Sequence, residues 1–261
     1  MGLLTDFRLT VLEQNLGVYG VCVYQNCKVI AEHRFRNDDR ENLYSGSKTF
    51  VSVAIGIAEF EEILSIEDYV INYFPEYSEI ASADTEKIKI EHLLMMASGH
   101  LEEYHSKYND MDRTELFFST DVKVEPGTKF FYEDLSTYML GRIIEKISGV
   151  SLLEYMKPRL FDKLDICNPQ WHNCQLGHTS CSGGLFLKTE EFSRIGILLL
   201  NKGKYESKRI LSSDFIERMH SKLIDTSFKL DSESQQGYGY QVWKCTLPNS
   251  YSGLLSRKRT S

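Results

Sequence analysis

The amino-acid sequence predicts an α/β fold, a sandwich of strands and helices with a helical insertion, on three observations. Runs rich in β-branched and aromatic residues flank a short polar turn near the N-terminus. Residues 237–244 alternate as a strand does. Between these lie several segments of helical period, and one of them, after Ser45, runs apolar on every face until Glu59. A helix hydrophobic all round has to lie inside the protein with other elements covering it.

Taken in order, residues 18–24 and 28–33 are the β-rich runs, and Gln25-Asn26-Cys27 between them predicts an antiparallel hairpin. A polar loop at 37–42 leads into the central helix, and Pro75 breaks the segment that follows it. Residues 88–96 begin extended and become a short apolar helix ending at Ser98-Gly99. A second short helix is expected over 114–118. Pro126-Gly127-Thr128 is a turn, 129–132 are extended, and 135–148 form a strongly amphipathic helix stopped by Gly149. Residues 151–161 predict another. Thr189 suits the N-cap of a helix over 192–201, with Gly203 just past its end, and Ser212 suits the cap of a helix reaching about residue 223.

At 261 residues, 42% of them hydrophobic, the chain suffices for one large domain or two intimately packed ones. A net charge of −7, with acids and bases interspersed, argues against nucleic acid or an anionic membrane as the main partner. No stretch approaches the ~18 apolar residues of a membrane span. The first eight residues lack the basic region, apolar core and cleavage site of a signal peptide, so a cytoplasmic protein, or a mature form without its leader, is expected. Six scattered cysteines in a chain of this size predict reduced thiols.

Ser45 and Lys48 stand three residues apart at the mouth of the buried helix, on one face and within contact distance. Burial of an amine favours its neutral, basic form, and a serine beside it at a helix N-terminus is an activated nucleophile. Chance supplies such a spacing about once in a chain this long, so read alone it fits an ordinary helix start as well. Tyr132-Glu133-Asp134 lies in a turn between an extended piece and a helix. A phenol held near an ammonium can serve as a base. Alternatively, Tyr132 is a core aromatic and Asp134 an N-cap. Cys167, His172, Cys174, His178 and Cys181 have zinc-compatible types, but their spacing matches no compact pair of ligand pairs. A zinc-bridged interaction protein is the non-enzyme alternative they leave open.

These residues, with others in order, resemble the serine β-lactamase and penicillin-binding-protein-like hydrolases, especially the class C β-lactamase and esterase branch. Tyr44-Ser45-Gly46-Ser47-Lys48-Thr49-Phe50 is similar to the nucleophile motif of that family. Leu64 to Val70 followed by Phe74-Pro75-Glu76, then Ile90 to Gly99, resemble its next two segments. Pro126 to Tyr132 resembles the lead into its Tyr-x-Asn motif, and Gly141 to Gly149 the helix after it. Gly183 to Glu191, Leu199 to Gly203 and Gly237 to Tyr240 continue the match over roughly residues 15–245. The resemblance implies a β-lactamase-like sandwich, with an α/β part near 1–60 and 175–245 and a helical part near 61–174. It implies acyl transfer to Ser45 from an ester, amide or β-lactam, a small-molecule or peptide substrate, with Lys48 and Tyr132 moving the proton and Asp134 touching substrate. No metal or organic cofactor is implied.

Three departures from the family pattern stand out. Asp134 replaces the asparagine of Tyr-x-Asn, and a carboxylate can only accept where an amide also donates. Met96 stands where the family often has a histidine. The Lys-Thr-Gly or His-x-Gly motif expected on a strand after Lys244 is not recognisable in the tail at 246–261, which reads like another frame. The expectations that follow are a sheet incomplete at this end, an impaired enzyme or binding module as the alternative function, and a homodimer paired through open sheet edges.

Overall fold

The computed structural model describes residues 2–101, 111–226, 236–244 and 251–252. Its first helix, α1 (Thr5–Glu13), is not legible in the sequence because its apolar residues do not share a buried face. Only Val11 is buried, while Leu9 and Leu12 are exposed. The expected hairpin follows: β1 (Gly20–Gln25) pairs antiparallel with β2 (Lys28–Arg34), from Gly20 opposite Arg34 to Gln25 opposite Lys28. At its turn Asn26 and Cys27 have φ of 51° and 60°. Two positive values in succession match the twist of the flanking strands.

The chain then forms β3 (Glu41–Asn42), one 3-10 turn at Tyr44–Gly46, and α2 (Ser47–Phe60). Every residue of α2 from Ser47 to Ala58 is buried. Phe50, Val51, Val53, Ile55 and Ile57 each contribute about 1.5–3 kcal/mol by that burial. Four helices follow along the chain: α3 (Ile90–Leu94), α4 (Arg113–Ser119), α5 (Asp134–Ser148) and α6 (Leu152–Met156). Of these, α5 packs directly along α2 and ends, as its sequence predicts, at Gly149 with φ of 71°.

Next, β4 (Gln170–Trp171) and β5 (Leu185–Leu187) join β3 in an antiparallel sheet of order β3-β5-β4. The following helix, α7 (Thr189–Leu200), starts inside Thr189 instead of being capped by it. Lys188 is the cap, and its N–H donates to the Glu191 carboxylate at 2.9 Å. Arg40, paired with that carboxylate at 2.7 Å, helps hold it over the helix end. A small hairpin, β6 (Lys204–Tyr205) with β7 (Lys208–Arg209), precedes α8 (Ser213–Met219). Ser212 caps α8 as expected, its Oγ accepting from the Phe215 N–H at 3.1 Å. The helix stops short of residue 223 because the Met219 carbonyl accepts from Tyr240 N–H, at 3.2 Å.

The last described elements are β8 (Trp243–Lys244) and β9 (Tyr251–Ser252), an antiparallel pair. Residues 237–244 are not the single strand that their alternation predicts. They fold back on themselves, with Gly239 N–H donating to Val242 O at 2.9 Å and Lys244 N–H to Gly237 O at 2.8 Å. Two contacts remote in sequence impose this. A Cβ on Gly239 would stand 2.1 Å from the Met219 carbonyl oxygen, so the chain runs tight against the end of α8. The buried Gln241 amide donates to Leu93 O and Leu94 O, at 2.9 and 3.1 Å, and accepts from Thr137 Oγ1 at 2.8 Å.

The class is therefore α/β, with antiparallel strands and helices. Within the tail set apart on sequence, 251–252 pair with β8, and the other residues from 246 onward lie outside the described ones. No helix among the described residues is long and apolar enough to cross a membrane.

Candidate active site

Ser45 sits in the 3-10 turn that ends where α2 begins. Tyr44 before it has φ of 46°, in the left-handed region that a residue with a Cβ seldom occupies. Lys48, in the first turn of α2, is 1% exposed. Its ammonium has three donors, and three acceptors meet it: Asp134 Oδ1 at 2.6 Å, Ser182 O at 3.0 Å and Ser45 Oγ at 3.5 Å. The serine contact is the longest, at the outer limit of a hydrogen bond. The Asp134 side chain is 46% exposed and opens α5, where the helix dipole favours a negative charge.

The structure thus brings all four residues picked from the sequence together. Lys48 Nζ lies 5.2 Å from the centre of the Tyr132 ring. That ring stacks on Trp243 at 5.5 Å and meets Tyr238 edge-on at 6.3 Å. The Tyr132 hydroxyl is buried with no hydrogen-bond partner among the described residues. A buried hydroxyl left this way costs about 1–3 kcal/mol, which a substrate or nucleophile oxygen arriving there would relieve.

Glu133, not Asp134, is the N-cap of α5: its Oε1 accepts from the Ser136 N–H at 2.9 Å and from the Ser136 hydroxyl. Both residues are carboxylates; Asp134 is the one drawn to Lys48 on α2, and Glu133 is the one left to cap. Glu133 Oε2 is buried without a partner among the described residues. Burial pushes this carboxyl up to about 7 from 4.5, against the opposing bonds from Ser136. The folded chain therefore favours the protonated form. That contribution to stability is complete below pH 4.5 and is lost as pH rises through about 7. It amounts to roughly 3 kcal/mol. In Glu133→Gln the fall in unfolding free energy between pH 4.5 and 8 should shrink by that amount in urea titrations. A pH slope equal to that of the unaltered chain would refute the assignment.

The cysteine and histidine group does not assemble. Cys181 donates to Thr179 O at 3.1 Å, His178 faces Glu145 at 2.9 Å, His172 packs on Phe186 at 4.8 Å, and Cys167 is exposed. No three potential metal ligands gather among the described residues. Sequence reasoning missed the Ser182 carbonyl, which bears no side-chain signature, and Trp243, whose stacking depends on the fold-back of 237–244.

Comparison with known proteins settles the lineage. The family model described as beta-lactamase matches residues 11–252. The chain belongs to the beta-lactamase family. A relative in that family, the 6-aminohexanoate-dimer hydrolase of Paenarthrobacter ureafaciens, is 24% identical over 266 residues, covering 92% of this chain and 68% of that protein. Two solved structures share the beta-lactamase fold of this chain. A beta-lactamase-like protein from Bacteroides dorei matches with a TM-score of 0.77 and 21% identity, over 93% of this chain and 80% of the other. The octameric penicillin-binding protein homologue of Pyrococcus abyssi matches with a TM-score of 0.70 and 20% identity, over 93% and 64%. At such identities the likeness speaks for the fold. What this beta-lactamase-family chain can do rests on its own residues: a serine hydroxyl at 3.5 Å from a buried amine, and a tyrosine ring 5.2 Å from that amine.

Proposed function

We propose that the chain is a serine hydrolase that forms an acyl-enzyme on Ser45 with an ester, amide or β-lactam carbonyl. The observation that carries this reading is the buried Lys48 ammonium, which touches Ser45 Oγ with the Tyr132 ring 5.2 Å away, the Tyr132 hydroxyl having no partner among the described residues. Ser45 Oγ attacks the carbonyl carbon, and its proton passes to the Lys48 and Tyr132 pair. This pair acts as base in the form that has already released one proton to solvent, a lysine amine or a tyrosine phenolate. The Ser45 N–H, at the N-terminal end of α2, stabilises the oxyanion. Collapse breaks the bond to the leaving group, which takes the proton. Water then attacks the ester on Ser45, giving one proton to the same pair, which passes it to Ser45 Oγ as the carboxylic acid leaves.

Intact-mass analysis after incubation with a fluorescent penicillin and with an activated aryl ester tests this. One acyl adduct per chain is expected with at least one reagent, mapping to Ser45 and absent from Ser45→Ala. No adduct with either reagent would overturn the reading in favour of a binding module without catalysis.

A further inference from the structure

We infer that Asn42 is a positioning residue for this site, because one side-chain oxygen ties together the two segments that hold Ser45 and Lys48. The inference rests on the proposed role of Ser45. Asn42 ends β3, three residues before the serine. Its Oδ1 accepts from the Tyr44 N–H at 2.8 Å and from the Gly184 N–H at 3.1 Å.

The first bond acts on the turn that carries Ser45. Tyr44 holds the left-handed φ of 46°, and a side chain there stays in place only when the surroundings over-determine it. An asparagine oxygen capturing the N–H two residues on is such a constraint. The backbone bonds Leu43 N–H to Leu185 O at 2.8 Å and Gly46 N–H to Leu43 O at 2.9 Å fix the ends of the turn, and the Ser47 N–H reaches the Tyr44 carbonyl, but none of these holds the Tyr44 N–H.

The second bond acts on the loop at 182–185. That loop supplies the Ser182 carbonyl that accepts from Lys48 Nζ at 3.0 Å. It is pinned again where the Leu185 N–H donates to Ser47 Oγ at 3.3 Å. A shift of the loop would let the ammonium turn away from Ser45, whose contact at 3.5 Å is already its longest. Asn42 is the residue that touches both segments through a single atom. Its role needs only an oxygen with two lone pairs, since both partners are backbone donors.

Two substitutions separate this role from general packing. Asn42→Leu keeps the volume and removes the acceptor; Asn42→Asp keeps the acceptor. With the reagent that labels Ser45 in the unaltered chain, Asn42→Leu should acylate about 10- to 100-fold more slowly at saturating reagent, with half-saturation unchanged. Asn42→Asp should stay within about threefold of the unaltered rate. Thermal melting reports whether each variant is folded at the assay temperature. A folded Asn42→Leu at the full rate overturns the inference and leaves Ser45 as nucleophile. Equal loss of rate in both variants overturns it too, because the shared oxygen would then not be the cause. Failure of the unaltered chain to label would instead remove the acyl-enzyme reading on which it rests.

Discussion

Lys48→Met should slow acylation of Ser45 by roughly 10³-fold while leaving the protein folded. Proton transfer by a positioned group contributes typically ~10²–10⁴-fold, and Lys48 is the amine in contact with the serine hydroxyl. Methionine preserves the unbranched stem among the apolar residues around the start of α2. Removing one partner of a buried ion pair can cost ~3–5 kcal/mol because the other charge is left stranded in the core. Here the charge left behind is Asp134, whose side chain is 46% exposed and remains hydrated at the start of α5. The stability change should therefore fall well below that figure. Rate and melting temperature measured on one preparation decide the matter. A near-normal rate would exclude Lys48 from the proton path, and a collapse of the fold would show that its role is structural.

The helices legible in the sequence are those whose signals are local. For α5, apolar residues recur at helical spacing and Gly149 supplies the left-handed stop. The β1–β2 hairpin is legible for the same reason, since its strands flank two turn residues that take positive φ. What escaped depends on contacts far along the chain. Residues 237–244 alternate like a strand, yet the carbonyls of Met219, Leu93 and Leu94 capture them into a fold-back. Nothing near Gln241 announces that partner. At the site, Ser45 and Lys48 stand out by spacing and by the apolar run behind them. The choice of Glu133 over Asp134 as the cap of α5 does not, because two adjacent carboxylates are locally equivalent until Lys48 draws one away. Asn42 is harder still, since its two bonds go to backbone groups 2 and 142 residues distant.

Asp134→Asn should raise the acylation rate by about tenfold or more. In the present site the carboxylate holds Lys48 Nζ at 2.6 Å, nearer by 0.9 Å than the serine hydroxyl does. It therefore competes with Ser45 for the amine and keeps a negative charge against the amine that has to take the serine proton. An amide removes that charge. Its oxygen still accepts from Lys48, and its NH₂ adds a donor that can reach a substrate carbonyl. One well-placed donor to a developing oxyanion is worth ~10²–10³-fold, but this amide lies on the substrate side and not in the oxyanion position, so about a tenth of that effect is the reasonable expectation. Stability should fall, because the substitution takes the compensating charge from the buried Lys48 ammonium, a change that can cost ~3–5 kcal/mol. The new amide oxygen and the Ser182 carbonyl still accept from it and keep the loss below that figure. The comparison is best made with both the penicillin and the aryl ester, since a gain confined to the penicillin would mark the amide as a contact for its acylamino carbonyl. A fall in rate with both reagents would reverse the assignment. Asp134 would then hold Lys48 in its working position, and this chain would have adapted its site around the carboxylate.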